Sequence, residues 1–125
     1  MADLPDFSRG GGLLPAVVQD ARTEQVLMLA YMNEEAWQET LRGGVAVFFS
    51  RSRNRLWKKG ETSGHVQQLV EARVDCDGDA ILLRVHQRGA ACHEGYSSCF
   101  FRKRNGDAWQ ITSQPVVDPQ EVYGE

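Results

Sequence analysis

The chain has 125 residues, 42% of them hydrophobic and 25% charged, with 14 basic against 17 acidic side chains and a formal net charge of -3. Those proportions suit one globular domain with a real core, and they exclude a strongly basic chain drawn to nucleic acid or anionic membrane. No apolar run approaches the roughly 20 residues that cross a bilayer.

Residues 1–12 read as a flexible leader that ends in a glycine run, without the basic start and apolar stretch of a signal peptide, so a cytoplasmic setting is expected. Two apolar segments, 13–18 and 25–32, flank a polar stretch at 20–24 and predict a β-hairpin. Asn33 then predicts a helix N-cap, with Glu34 and Glu35 in the first turn. Ala36, Trp37, Thr40 and Leu41 share a face, and Arg42 before Gly43-Gly44 makes the stop. A short apolar strand is expected at 45–50. The polar stretch SRSRNRLWKKGETSGH (50–65) reads as a long functional loop. A second hairpin turns at Asp77-Gly78, which places Glu71 opposite Arg84, Ala72 opposite Leu83 and Val74 opposite Ile81. CHEGYSSCFFRK (92–103) reads as a loop entering a strand, Asn105-Gly106 as a further turn, and 113–125 as a loose tail. The whole predicts a single α+β domain over 1–125, mainly antiparallel β in a barrel-like sheet, with one principal helix.

Three features carry possible chemistry. The three cysteines are an odd number, which argues against a closed disulfide framework and leaves reduced thiols or thiolate ligands. Cys76 sits at a turn, and Cys92 and Cys99 lie seven residues apart in a Gly/Ser-rich loop. One alternative is three small buried hydrophobes. The other is a zinc site with an open position for water, or a closed structural site completed by His86 or His93. Asp75, Asp77 and Asp79 crowd three carboxylates into five residues, which repel unless a cation or basic group neutralises them. A hard ion such as Mg²⁺ fits, and a solvated acidic turn is the alternative. An EF-hand is rejected, because Ala80 and His86 stand where that loop needs Gly and Glu.

The third feature is basic. Arg51, Arg53, Arg55, Lys58 and Lys59 put five positive charges into nine residues, followed by the flexible, hydroxyl-bearing Gly60-Glu61-Thr62-Ser63-Gly64. Such a stretch suits phosphate, and Trp57 offers a face for stacking on a base. A solvated basic loop is the bland alternative. No P-loop pattern is present, and one short patch on a net acidic domain favours a small phosphorylated ligand over nucleic acid. Together the features suggest an enzyme that activates water against a phosphorylated substrate. The H-x-E…P-C-x-x-C signature of zinc nucleobase deaminases is absent.

LAYMNEEAW (29–37), SRSRNRLWKKGETSGH (50–65), DCDGD (75–79) and CHEGYSSCFFR (92–102) occur in the order seen in phosphoribosyl-AMP cyclohydrolase of histidine biosynthesis, which the sequence resembles over most of its length. It looks like the stand-alone form and not the one fused to a pyrophosphohydrolase. The resemblance implies hydrolysis of the N1–C6 bond of 1-(5-phosphoribosyl)-AMP with zinc and magnesium. It implies Cys76, Cys92 and Cys99 as zinc ligands and Asp75, Asp77 and Asp79 as magnesium ligands. It further implies an intertwined homodimer whose zinc sites take cysteines from both subunits. For this reaction His93 and His65 are candidates to shuttle protons, and Arg51, Arg53, Trp57, Lys59, Gly60, Glu61, Thr62 and Ser63 are candidates to bind substrate. The competing expectations are a zinc-stapled RNA-binding module with idle aspartates and a non-catalytic homologue. Retention of all six implied ligand positions favours the enzyme, with no nucleic-acid or membrane partner.

Overall fold

Strand β1 (Leu14–Asp20) turns Leu14, Ala16 and Val18 inward at the two-residue period of a strand, and it becomes the centre of the fold. β2 (Val26–Met32) pairs with it antiparallel, Leu14 facing Met32, as the apolar segments predicted. The connecting turn is held by Asp20, whose carboxylate accepts the Arg22 and Thr23 amides at 3.0 and 2.8 Å.

The expected helix follows as α1 (Glu34–Gly43). Asn33 accepts the Ala36 amide at 2.8 Å, and Gly44 closes the helix in the left-handed conformation. Its buried face carries Ala36 and Thr40. The Thr40 hydroxyl donates to the Ala36 carbonyl at 2.9 Å and accepts the Val47 amide at 3.0 Å, which fastens the helix to β3 (Val47–Ser50).

One expectation is corrected here. The stretch read as a single loop contains β4 (Arg55–Lys58), antiparallel to β3 with Phe48 opposite Trp57. Leu56 and Trp57 pack against the core, and the Phe48 and Trp57 rings lie 5.2 Å apart. Two half-buried apolar side chains suffice to hold a short strand, and the exposed Arg55 and Lys58 at its ends had disguised it.

β5 (Gln67–Val74) and β6 (Ile81–Gln87) form the second hairpin with the predicted pairs, Glu71 with Arg84, Ala72 with Leu83 and Val74 with Ile81. The connection is wider than two residues. The Gly78 amide bonds the Asp75 carbonyl at 3.0 Å, while the Asp75 carboxylate takes the Asp79 and Ala80 amides at 3.1 and 3.3 Å. A side chain that captures ladder amides opens the turn. The last hairpin, β7 (Arg102–Asn105) with β8 (Ala108–Ile111), turns at Asn105-Gly106 and is exposed throughout.

The main sheet has the order β2-β1-β6-β5, antiparallel except for the central β1–β6 pair, which is parallel. The barrel-like closure expected from the sequence is not formed. The chain leaves β2 into α1 and returns to β5 through a single bridge, Val45 to Gln68, while β3 and β4 pair with each other. Phe48, Leu14, Met32, Ile81 and Leu83 fill the core between the sheet, β3 and α1.

The computed structural model describes residues 4–118; residues 1–3 of the leader and 119–125 of the tail lie outside the described residues. Within the leader, Phe7–Gly10 form a 3₁₀ turn capped by Asp6. In the tail, the Val116 amide bonds the Gly95 carbonyl at 2.8 Å. Among the described residues no helix is long and apolar enough to cross a membrane.

Candidate active site and metal ligands

The β5–β6 turn gathers Asp75, Asp77 and Asp79 so that one carboxylate oxygen from each lies within 4.8 Å of the others. Among the described residues this is the only group of three or more His, Cys, Asp or Glu side chains so placed. Asp75 and Asp77 are exposed and Asp79 is half-buried. Desolvation pushes the Asp75 carboxyl up, but the Asp79 and Ala80 amides outweigh it and hold the group below the ordinary carboxylate value. One Asp75 oxygen is spent on those amides, leaving the other for a cation. Hard oxygen donors crowded on one turn fit Mg²⁺.

The cysteine loop is anchored to the edge of the sheet. The Cys99 amide donates to the Leu27 carbonyl at 2.7 Å and the Ser98 hydroxyl to the Val26 carbonyl at 2.7 Å. The Cys92 carbonyl accepts the Gly95 amide at 3.0 Å, and its sulfur accepts the Glu94 amide at 3.4 Å. Cys92 is 2% exposed, as the hydrophobe reading would have it. Cys99 lies at the surface of the chain, yet crowding around its thiol, then the neighbouring Cys92, pushes its pKa up to about 12, with Lys59 drawing it the other way. Two neighbouring soft sulfur donors fit zinc. Cys76, on the acidic turn, is exposed and does not converge with the other two cysteines within one chain.

The basic stretch divides into three parts. Arg53, Trp57, Glu61 and Thr62 of the expected set line a cleft of about 270 Å³, together with Ser50, Ser52, Arg55 and Lys58. Arg51 stacks instead on Tyr31, its guanidinium carbon 3.9 Å from the ring centre. Lys59 is 3% exposed, with its ammonium 5.9 Å from the Trp57 ring centre and its charge felt at Cys99. It therefore joins the basic stretch to the cysteine loop. Gly60 has φ +81°, and a Cβ there would stand 2.4 Å from the Val66 nitrogen, so the turn that seats Lys59 depends on glycine. Ser63 accepts the His65 amide at 3.1 Å.

The two candidate histidines differ in constraint. His65 Nδ1 accepts the Ala90 amide at 3.2 Å, so the neutral ring carries its proton on Nε2. Gly89 lies under this ring, where a Cβ would come within 2.8 Å of it. His93 is exposed beside Cys92. His86 lies on β6 with its Nδ1 buried and lacking a hydrogen-bond partner among the described residues.

Sequence reasoning passed over several residues. Ser50 and Ser52 join the cleft once β4 is recognised, because the hairpin brings both its strands to one wall, beside Arg55 and Lys58 of the basic cluster already singled out. The burial of Lys59 had no local signal, and neither did the stacking of Arg51 on Tyr31.

The family model described as phosphoribosyl-AMP cyclohydrolase matches residues 28–101. A phosphoribosyl-AMP cyclohydrolase of Desulforapulum autotrophicum is 60% identical over 120 residues, covering 94% of this chain and 96% of that protein. One of Nitratidesulfovibrio vulgaris is 58% identical over 123 residues, covering 98% of each chain. One of Methanosarcina acetivorans is 51% identical over 123 residues, covering 98% of this chain and all of the relative.

Proposed function

This chain belongs to the phosphoribosyl-AMP cyclohydrolase family, and from that premise we propose that it hydrolyses the N1–C6 bond of 1-(5-phosphoribosyl)-AMP, a cyclic amidine C–N bond, in histidine biosynthesis. The product is the ring-opened formimino-AICAR ribotide. The observation that carries the metal reading is the Asp75–Asp79 turn, where a soft thiol, Cys76, stands between converging hard carboxylates.

In this reading Cys76, Cys92 and Cys99 hold zinc, and Asp75, Asp77 and Asp79 hold magnesium. Cys76 comes from a second copy of the chain, since it does not converge with Cys92 and Cys99 in its own. When bound, zinc supplies a Lewis acid that lowers the pKa of a water toward neutrality. Substitution at N1 leaves the purine electron-poor at C6, so water adds there and the ring opens as the N1–C6 bond breaks. One proton leaves the attacking water, and the departing nitrogen needs one. His65, with its proton held on Nε2, and His93, beside Cys92, are the groups proposed to move it. The cleft bearing Arg53, Arg55, Lys58 and Thr62 supports phosphate binding, and Trp57, which also lines it, is the proposed stacking surface for the base.

The test is direct. Purified chain under reducing, Mg²⁺-replete conditions is mixed with phosphoribosyl-AMP and product absorbance is followed. Turnover that chelation abolishes and zinc restores is expected. Its absence from the zinc-loaded protein sinks the proposal.

A further inference from the structure

The tip of a long hairpin is ordinarily its most mobile part, yet in the β5–β6 turn Gly78 is buried. What covers it is the start of the chain. The Asp6 amide donates to the Gly78 carbonyl at 2.7 Å. Leu4 lies so close over Gly78 that a Cβ there would stand 2.5 Å from its Cδ2 atom. Asp6 then caps the 3₁₀ turn through the Ser8 amide at 3.1 Å, and Phe7 packs against the core. On its other side the segment borders α1 across a groove lined by Pro5, Phe7, Glu34 and Trp37. Gly78 lies directly between Asp77 and Asp79.

We propose that Leu4–Asp6 is a positioning strap that holds the Asp75–Asp79 turn in its cation-binding shape. This rests on the magnesium role proposed above for the three aspartates. The turn's own bonds, from the Gly78, Asp79 and Ala80 amides to Asp75, all arise within six residues. They shape the loop but cannot fix its tip against the body of the protein. The strap does so from outside, at the carbonyl of the residue that joins two of the ligands. Carboxylates that repel one another spread when free to move. A strap that prevents the spreading leaves less ordering for the cation to impose, and raises affinity without touching the ion.

Mn²⁺ is the probe, because its magnetic resonance spectrum separates free from bound ion without any turnover. In the full chain, Leu4→Ala should weaken Mn²⁺ binding about tenfold, while zinc content stays unchanged. Leu4→Met, which keeps an apolar side chain of similar volume and reach, should restore the affinity. A second pair isolates the backbone bond: Asp6→Ala loses the carboxylate, with its cap and its pairing to Arg9, whereas Asp6→Pro loses the amide donor as well and should bind Mn²⁺ more weakly. Equal affinity in the parent and Leu4→Ala overturns the strap, as does a loss that Leu4→Met fails to rescue or no difference within the Asp6 pair. A parent chain that binds no Mn²⁺ overturns the magnesium reading itself, and the strap's role with it.

Discussion

Asp75 and Cys92 show how local bonding surrounds two side chains that are proposed to hold metal. Backbone amides stabilise the Asp75 carboxylate, and the Glu94 amide points at the Cys92 sulfur. The two donor sets differ in hardness, so their losses should separate. Cys92→Ser is expected to lose bound zinc and activity, whereas Asp77→Asn should raise the Mg²⁺ requirement and spare zinc. Metal content per chain beside a Mg²⁺ titration checks both. Asp20 offers a test free of metals. Burial pushes its carboxyl up, but the Thr23 and Arg22 groups that bond it outweigh that and lower its pKa from 3.8. A lowered folded pKa contributes stability above the unfolded value, and that contribution is lost as pH falls through the folded one. Asp20→Asn should therefore unfold more easily than the parent at neutral pH, with the gap closing under acid below about pH 3.8. Urea midpoints across that range would show it.

Among the elements, α1 was the most legible, because its cap, acidic first turn and glycine stop are local codes. Asn33→Ala removes the bond to the Ala36 amide and should cost about 1 kcal/mol, read as a lower urea midpoint at unchanged slope. The β5–β6 register was equally legible, since charge and apolar pairs across a hairpin are set by counting from the turn. β4 was not. Its sequence, RLWK, carries only two apolar residues, and what makes it a strand is Phe48 on a neighbouring strand. The opened turn at Asp75 was hidden for a similar reason: residue spacing does not reveal which amides a carboxylate will capture.

For the whole molecule, the placement of the cysteines decides most. Cys92 and Cys99 are neighbours, but Cys76 sits on a different turn and does not reach them within one chain. A shared zinc site predicts complementation. Cys76→Ser and Cys92→Ser chains, each inactive alone, should recover activity when unfolded together and refolded as a mixture, because one site of a mixed dimer then keeps all three thiols. The mixed dimer, separated from the mixture, should carry about half the zinc of the parent dimer. No recovery in a verified mixed dimer would place all the ligands within single chains.

The sequence by itself determined the family, the helix with both its ends and the pairing of two hairpins. These are written in local patterns, or in motifs long enough to be specific. Only the tertiary structure decided that β1 and β6 run parallel, that the sheet stays open, that Lys59 is buried beside the cysteine loop and that Leu4 covers Gly78. Each of these joins segments distant in the chain. Such contacts follow from which apolar faces find one another on collapse, and no single stretch of residues encodes that choice.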